Sequence, residues 1–288
     1  MKTPALKQRA QKLVALFFSL NAICIVALLA TACEDRIITQ PRVPGRPLYG
    51  IDVNNNLIRF GSLRPDSVII RKNISGLRPG ETIIGVDFRP LDKRLYALSS
   101  ASRLYILDTL SGAAGQVGPS ALPTALNGTY FGLGFNPVPD KIRLHSNAEQ
   151  DLRLDPVTGV LAVDSTLAYD VSDIYFNINP NIVGTAYTNS VPGATSTTLY
   201  AIDSNLDILV TLPVPNNGRM RAVGALGVNT ADWVGFDISG RDGMAFAALT
   251  TNPIGGSSLY TVDLSTGAAT LLGNFGNRAT LHSLAIAP

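Results

Sequence analysis

Residues 104–112 read LYILDTLSG, and this pattern decides the fold that we predict for the chain. Its first four side chains alternate with period two, as those of a β-strand do. Asp108 can cap the following turn through its carboxylate, and Gly112 can supply the positive φ that closes a bulged hairpin. The segment is therefore predicted to be a strand that runs into a hairpin.

The same pattern recurs along the chain at intervals that predict a repeat architecture. Its aspartates are Asp52, Asp108, Asp155, Asp203 and Asp263, and the copy at Asp155 is degenerate. The intervals between them are 56, 47, 48 and 60 residues. A period near 50 residues, built from short β-type segments, is typical of propeller blades. The Asp side chains are expected to cap turns, and the repeated tyrosines to pack between blades.

A second pattern supplies the predicted inner strands. Residues 84–90 (IGVDFRP) and 131–137 (FGLGFNP) are strand-like and stop at proline, and 174–180, 234–240 and 281–288 are assigned to equivalent places. Glycine in such strands permits close backbone approach around an axis. We predict an all-β propeller with five blades, in which the C-terminal strand completes the first blade and closes the ring. Six blades stay open because 161–189 is irregular, and a β-sandwich or β-solenoid is the competing fold.

The first 32 residues form a predicted signal peptide. Four basic residues precede an apolar run at 13–32 that ends in small side chains directly before Cys33. A cysteine at this place resembles the lipobox of bacterial lipoproteins, in which Cys33 would be lipidated and become the new N-terminus. An uncleaved membrane anchor, or an ordinary signal peptide with a chance cysteine, are the alternatives. Each of them places the remaining chain outside the cytoplasm.

The predicted organisation is a signal peptide at 1–32, a lipidated Cys33 with a Pro-rich tether at 33–47, and one domain at 48–288. Removing the leader takes four of 23 basic residues and none of the 21 acidic ones, which leaves a net charge of −2. This balance gives no basic surface for nucleic acid. We expect a monomer in the bacterial cell envelope, in the periplasm or on the cell surface, held to a membrane by its N-terminal lipid.

Several segments, in order, carry a resemblance to a known family. They are 85–90 (GVDFRP), 103–105 (RLY), 135–137 (FNP), 140–143 (DKIR), 152–154 (LRL), 186–190 (AYTNS) and 224–228 (GALGV). Together they resemble the bacterial domain of unknown function 4394, over roughly residues 48–288. The resemblance implies an exported protein with a propeller-like repeat, and it implies no activity and no catalytic residues.

The sequence offers little catalytic chemistry. A Ser or Cys triad needs a histidine, and the chain has only His145 and His282, each of which is expected to be structural. A glycosidase needs two placed carboxylates. The pairs Glu149 with Asp151 and Glu81 with Asp87 can be nominated, but surface solvation accounts for them better.

A calcium site is the one metal hypothesis. Residues 237–243 (DISGRDG) place the oxygen ligands of Asp237 and Asp242 around glycines. Tight turns use the same residue types, and Arg241 opposes a cation. No other cofactor is expected.

Polar residues beside the prolines of the predicted inner strands form the candidate ligand site. Arg89, Asn136, Asn179 and Asn181 are expected to converge at one mouth of the ring, and Trp233 could face a mouth from its place before an inner strand. The leading interpretation is a non-enzymatic module that binds an unknown protein or glycan. A metal-dependent propeller hydrolase or lactonase, and a purely structural envelope component, are the alternatives.

Overall fold

Short apolar strands form five small sheets in the computed structural model, which describes residues 41–118, 120–252 and 255–288. The predicted signal peptide and Cys33 lie outside these residues. Within them, residues 42–288 form one compact unit. No helix in the described part of the chain is long and apolar enough to cross a membrane.

Each sheet is one blade, described here from its inner strand outwards. Blade 1 contains β21 (Leu281–Ile286), β1 (Pro47–Asp52), β2 (Asn56–Gly61) and β3 (Ile70–Asn73). Blade 2 contains β4 (Ile83–Phe88), β5 (Leu95–Ser99), β6 (Leu104–Leu107) and β7 (Ala114–Gln116). Blade 3 contains β8 (Phe131–Asn136), β9 (Lys141–Ser146), β10 (Asp151–Leu154) and β11 (Leu161–Val163).

The last two blades follow the same plan. Blade 4 contains β13 (Ile182–Tyr187), β14 (Leu199–Asp203), β15 (Ile208–Val214) and β16 (Arg219–Ala225), and β12 (Ala168–Tyr169) pairs in parallel with the outer edge of β16. Blade 5 contains β17 (Val234–Ile238), β18 (Ala245–Asn252), β19 (Gly256–Val262) and β20 (Ala269–Asn274). The five inner strands contact one another in sequence around a ring. The five-bladed propeller predicted from the repeat is confirmed.

The ring closes through the C-terminal strand, as predicted. β21 pairs antiparallel with β1, and Leu48 lies opposite Ile286 while Gly50 lies opposite Leu284. The pairing satisfies the inner edge of β1, which would otherwise present unpaired N–H and C=O groups. The domain also begins slightly before Leu48, because β1 starts at Pro47 and the Arg46 carbonyl accepts a hydrogen bond from the Ser62 N–H.

Small residues hold the inner strands close together at one level of the ring. This level consists of Gly85, Gly132, Gly184, Gly235 and Ser283, one from each inner strand. A Cβ added to Gly132 would lie 2.6 Å from the Thr185 nitrogen, and one added to Gly235 would lie 2.7 Å from the Leu284 nitrogen. Such distances leave no room for a side chain, so glycine is required by the approach of neighbouring backbones.

Apolar side chains fill the spaces between blades. Tyr49 of blade 1 meets Phe88 of blade 2 edge to face, with ring centroids 5.4 Å apart. Tyr96 of blade 2 meets Phe135 of blade 3 in the same way at 5.3 Å. Burial of these faces is the main stabilising term in the fold, and edge-to-face geometry adds to it. The predicted packing of the repeated tyrosines between blades is confirmed for Tyr49.

The Leu-Tyr-Asp repeat occupies two different positions in the blades. The copies ending at Asp108 and Asp263 belong to third strands, whereas those ending at Asp52 and Asp203 belong to second strands. Asp108 accepts hydrogen bonds from the backbone N–H groups of the following turn, which confirms its capping role. Asp203 is fully buried and also accepts a hydrogen bond of 2.6 Å from the Tyr169 hydroxyl.

The predicted inner strand at 174–180 is wrong. This segment forms turns, with Ile174 85% exposed and Asn177 at a φ of 70°. The inner strand of blade 4 is β13, which follows Pro180 and carries Gly184 at the glycine level. Proline follows the inner strand in blades 2 and 3, whereas Pro180 precedes the inner strand of blade 4. The assumption that each of these prolines ends an inner strand therefore failed in blade 4.

Candidate functional site

Two cavities lie at opposite ends of the inner strands, with the glycine level between them. We call the end where the inner strands begin the upper end, and the end where they finish the lower end. The upper cavity has a volume of about 180 Å³, and its walls include Tyr130, Asp232, Trp233 and His282. The lower cavity has a volume of about 290 Å³ and is lined by Asp87 and Asp237, by the basic residues Lys93 and Arg241, and by mostly apolar or small residues.

Three aromatic side chains that are in contact with one another line part of the upper cavity. Tyr130 and Trp233 directly precede the inner strands β8 and β17, and His282 is the second residue of β21. The circular arrangement of the blades brings these three residues together. Tyr130 and Trp233 lie 5.0 Å apart between centroids with planes at 88°, and Trp233 and His282 lie 6.0 Å apart at 56°. All three are half-buried.

Asp232 gives the upper cavity a negative charge. Its Oδ1 accepts hydrogen bonds of 2.7 Å from Asn181 Nδ2 and from Ser204 Oγ. Burial in the wall lowers the pKa of His282 to about 4, although the Asp52 carboxylate opposes this shift. His282 is therefore neutral at pH 7. Burial raises the pKa of Tyr130, and the charge of Asp232 adds to that effect.

Two buried carboxyl groups stand at the lower end, at equivalent positions of β4 and β17. Asp87 Oδ2 accepts a hydrogen bond of 2.7 Å from the Phe135 N–H, and Asp237 Oδ2 accepts one of 2.7 Å from the Ile286 N–H. In both cases the donor belongs to the inner strand of the next blade. Each carboxyl group thus joins two blades through the backbone.

Burial governs the protonation of this carboxyl pair. It raises the pKa of Asp87 well above the usual range, with a further rise from the nearby charge of Asp237. It also raises the pKa of Asp237 to about 7, although backbone hydrogen bonds from Ile286 and Ile238 oppose the shift. At neutral pH at least one of the two groups holds a proton, since two adjacent buried charges repel each other.

The structure does not bring the four predicted mouth residues together. Arg89 and Asn136 lie at the lower end, where β4 and β8 finish, whereas Asn179 and Asn181 precede β13 at the upper end. The expected convergence is therefore wrong, because it depended on a strand at 174–180.

Each of these four side chains has an intramolecular partner. Arg89 Nε donates to Asp140 Oδ1 at 3.0 Å, which joins blades 2 and 3 and raises the pKa of Arg89. Asn136 Oδ1 accepts from the Val138 N–H at 3.1 Å. Asn179 Nδ2 donates to Glu149 Oε1 at 2.8 Å. Asn181 and Trp233 are the two predicted residues that belong to the upper cavity or directly support it.

The two proposed calcium ligands point to different partners. Asp237 belongs to the lower cavity, whereas Asp242 forms an ion pair with Arg46. No group of three or more His, Cys, Asp or Glu side chains with the arrangement of a metal site occurs within residues 41–118, 120–252 and 255–288.

The other catalytic candidates also have structural partners. Glu81 Oε2 accepts from the Tyr105 hydroxyl at 2.6 Å, and Asp151 pairs with Arg143 at 2.5 Å. His145 is fully buried, and its Nδ1 lies 3.0 Å from Thr185 Oγ1. These contacts lie within and between blades, away from both cavities.

Sequence reasoning missed Tyr130, Asp232 and the location of His282 in a cavity wall. Two of these residues could have been found by aligning the inner strands on their glycine level. In that alignment Tyr130 and Trp233 occupy equivalent positions, two residues before the glycine. The residue directly before each of them is polar: Thr129 precedes Tyr130, and Asp232 precedes Trp233.

Comparisons with known proteins agree with the fold. The chain matches a structure described as a nidogen/laminin complex with a TM-score of 0.50 and 13% identity, over 85% of this chain and 99% of that chain. A protein of unknown function from Bacteroides thetaiotaomicron matches with a TM-score of 0.49 and 13% identity, over 83% of this chain and 60% of that one. No curated protein matches the chain in sequence. The family model described as "Domain of unknown function (DUF4394)" matches residues 56–285, and the chain belongs to that family.

Proposed function

We propose that this protein is a lipid-anchored module of the bacterial cell envelope that binds a ligand in its upper cavity without catalysing a reaction. One observation carries the proposal: three half-buried rings from three blades line a cavity that opens at the end of the ring. Pockets of this kind, with a few polar groups among aromatic side chains, are the usual form of small-ligand sites.

The upper cavity differs from the interior in the way its aromatic groups are used. Tyr49, Tyr96 and Phe135 are at least 96% buried and pack between blades. Trp233 and Tyr130 keep part of their ring surface in the cavity. A ligand that covers this surface would bury the part of the two rings that the fold leaves in contact with water, and this burial would favour binding.

Anchoring is proposed from the sequence. A basic start, an apolar run and small residues directly before Cys33 support lipidation at that cysteine. The Cys33→Ser variant should fail to incorporate a labelled fatty acid and should leave the membrane fraction. Incorporation by the Cys33→Ser protein at the wild-type level would contradict lipidation at this residue.

The binding proposal is tested with the purified full chain in detergent. A panel of glycans, peptides and small organic ions is screened by thermal shift, with and without chelator. At 100 times the dissociation constant a native-state ligand adds ~2.7 kcal/mol of stability. Because Trp233 is the single tryptophan, its fluorescence reports occupancy of the upper cavity directly.

The decisive comparison uses two tyrosine variants. Tyr130→Ala should abolish both the thermal shift and the fluorescence change, whereas Tyr200→Ala, at a half-buried tyrosine on β14 that does not line the upper cavity, should leave them intact. Binding that survives Tyr130→Ala would refute the upper cavity as the site. Turnover of a panel compound that requires a divalent ion would replace the binding module with the metal-dependent enzyme.

A further inference from the structure

We propose that the upper cavity selects an organic cation, specifically a quaternary ammonium group of the choline type. The inference rests on the proposed function, because it names the ligand class of the same site. The geometry that points to it is a set of mutually inclined rings next to a single carboxylate.

The arrangement of the rings is that of a cage. Tyr130 stands nearly perpendicular to Trp233, and His282 is inclined to Trp233 by 56°. A flat sugar ring stacks best on a single open aromatic face. A compact, roughly spherical cation instead gains from several ring faces at once, because each face presents the negative part of the ring quadrupole.

The charge of the cavity wall favours a cation. Asp232 is the single Asp, Glu, Lys or Arg side chain among the residues that line the upper cavity in the described part of the chain. Its Oδ1 is held by Asn181 and Ser204, which fixes the carboxylate in place. Its Oδ2 accepts no hydrogen bond from the residues that the structure describes, so this oxygen can face a ligand charge.

Among the described residues that line the cavity, no positive group opposes such a ligand at neutral pH. His282 is neutral there because burial holds its pKa at about 4. Asp52, whose charge acts on His282 from behind the wall, forms an ion pair with Arg71, and that arginine is not among the lining residues.

The size of the cavity also fits a small ligand. Its volume of about 180 Å³ corresponds to roughly six water molecules at ~30 Å³ each. This is smaller than the ~300–1,000 Å³ of typical drug-sized pockets. A trimethylammonium head group with a short hydroxylated tail is of that order, and the tail can reach Thr82 or Thr129 at the exposed opening.

The test compares choline with its neutral isostere, 3,3-dimethylbutan-1-ol, on the full chain in detergent. Titration is followed by Trp233 fluorescence, with tetramethylammonium as a second cation and glucose as a neutral sugar. Choline should bind at least about tenfold more tightly than the isostere, since the two compounds differ in charge and hardly in shape. Equal affinity, or saturable binding of glucose without binding of choline, would overturn the inference.

Two variants locate the origin of the preference. Asp232→Asn should lower the affinity for choline and leave only the part of its preference over the isostere that the rings supply, while the matched Asp263→Asn, at an exposed turn, should leave the affinity unchanged. Trp233→Phe, measured by calorimetry, should weaken choline binding by roughly three- to thirtyfold and leave the isostere nearly unaffected, because indole is the stronger cation–π partner. A choline preference that persists undiminished in both variants would contradict the proposed cage.

The same experiments distinguish failure of the cation inference from failure of the binding module. If choline fails but another panel compound changes Trp233 fluorescence and loses its effect in Tyr130→Ala, the cation inference fails and the binding module stands. If every panel ligand binds independently of Tyr130, both are refuted.

Discussion

The two ends of the propeller axis use their polar and aromatic groups in opposite ways. At the lower end, Asp87 and Asp237 direct their carboxyl oxygens to backbone N–H groups of the next blade. At the upper end, Tyr130 and Trp233 pack against each other but keep part of their surface in the cavity, and Asp232 Oδ2 accepts no hydrogen bond from the residues that the structure describes. The difference teaches that the two ends of a repeated fold can differ in how completely their polar and aromatic groups are used within the protein.

The glycine level that separates the two ends should be the most sensitive part of the molecule. Gly132→Ala places a Cβ 2.6 Å from the Thr185 nitrogen, and we expect a loss of about 3 kcal/mol or more in the free energy of unfolding, because backbone must move. Gly115→Ala is the control, since its added Cβ meets nothing closer than 4.0 Å. Denaturant unfolding measures both, and a tolerant Gly132 would refute the tight contact of inner strands.

The carboxyl pair should make the stability of the protein fall as pH rises. The folded pKa of Asp237 is about 7, above its ordinary value of 3.8, so the stabilisation is complete below pH 3.8 and is lost as pH rises through about 7. Asp237→Asn should remove the part of this slope that Asp237 contributes, so that its stability relative to wild type increases between pH 4 and pH 8 by a few kcal/mol, on the order expected for such a shift.

Asp263→Asn supplies the control for that pH dependence. Hydrogen bonds from Ser265 lower the pKa of Asp263, so its contribution is lost only as pH falls below its ordinary range. The slope between pH 4 and pH 8 should be unchanged in this variant. An equal slope in wild type and Asp237→Asn would show that the pKa of Asp237 is not raised in the folded protein.

Aromatic residues at the two ends should differ in their effect on stability. Phe135→Leu removes a ring that is 1% exposed and packed against Tyr96, and we expect a loss of about 2 kcal/mol. Trp233→Leu removes a half-buried ring from the cavity wall, and about 1 kcal/mol is expected. Thermal unfolding compares them, and a larger loss for Trp233 would make it a structural residue.

The smallest effect is expected at the ion pair of Asp242 with Arg46. Both side chains are partly exposed, so Asp242→Asn should cost about 0.5 kcal/mol and depend on salt. Calcium should change the melting temperature of wild type and variant equally, because Asp237 and Asp242 face different partners. A calcium response confined to wild type would restore the loop as a cation site.

Much of the fold was predictable because the repeat reflects the physics of a blade. Gly112 and Gly267 adopt positive φ values of 77° and 83°, as the hairpin required. The intervals between the aspartates do not measure the length of one blade, because Asp52 and Asp203 belong to second strands and Asp108 to a third. Any Leu-Tyr strand in a blade satisfies the same alternation, so periodicity alone cannot assign its position.

The candidate site was less predictable than the fold. Trp233 could be nominated from its place before an inner strand, but the cavity also depends on Tyr130, which lies 103 positions earlier in the chain. The two residues lie close together because the propeller places their blades around a common axis, and nothing in the local sequence indicates this. A misplaced strand in blade 4 likewise moved Asn179 and Asn181 to the wrong end, because the direction of a strand determines the end at which its flanking residues lie.

Closure of the ring by β21 has a consequence for folding. β1 pairs with a strand that follows it by roughly 230 residues in the chain, so we expect this ladder to form late, because distant segments pay a larger loop-closure cost. Until β21 docks, β1 would offer an open edge to any other extended chain. We therefore expect a helper protein that shields β1 during assembly to raise the yield of folded protein.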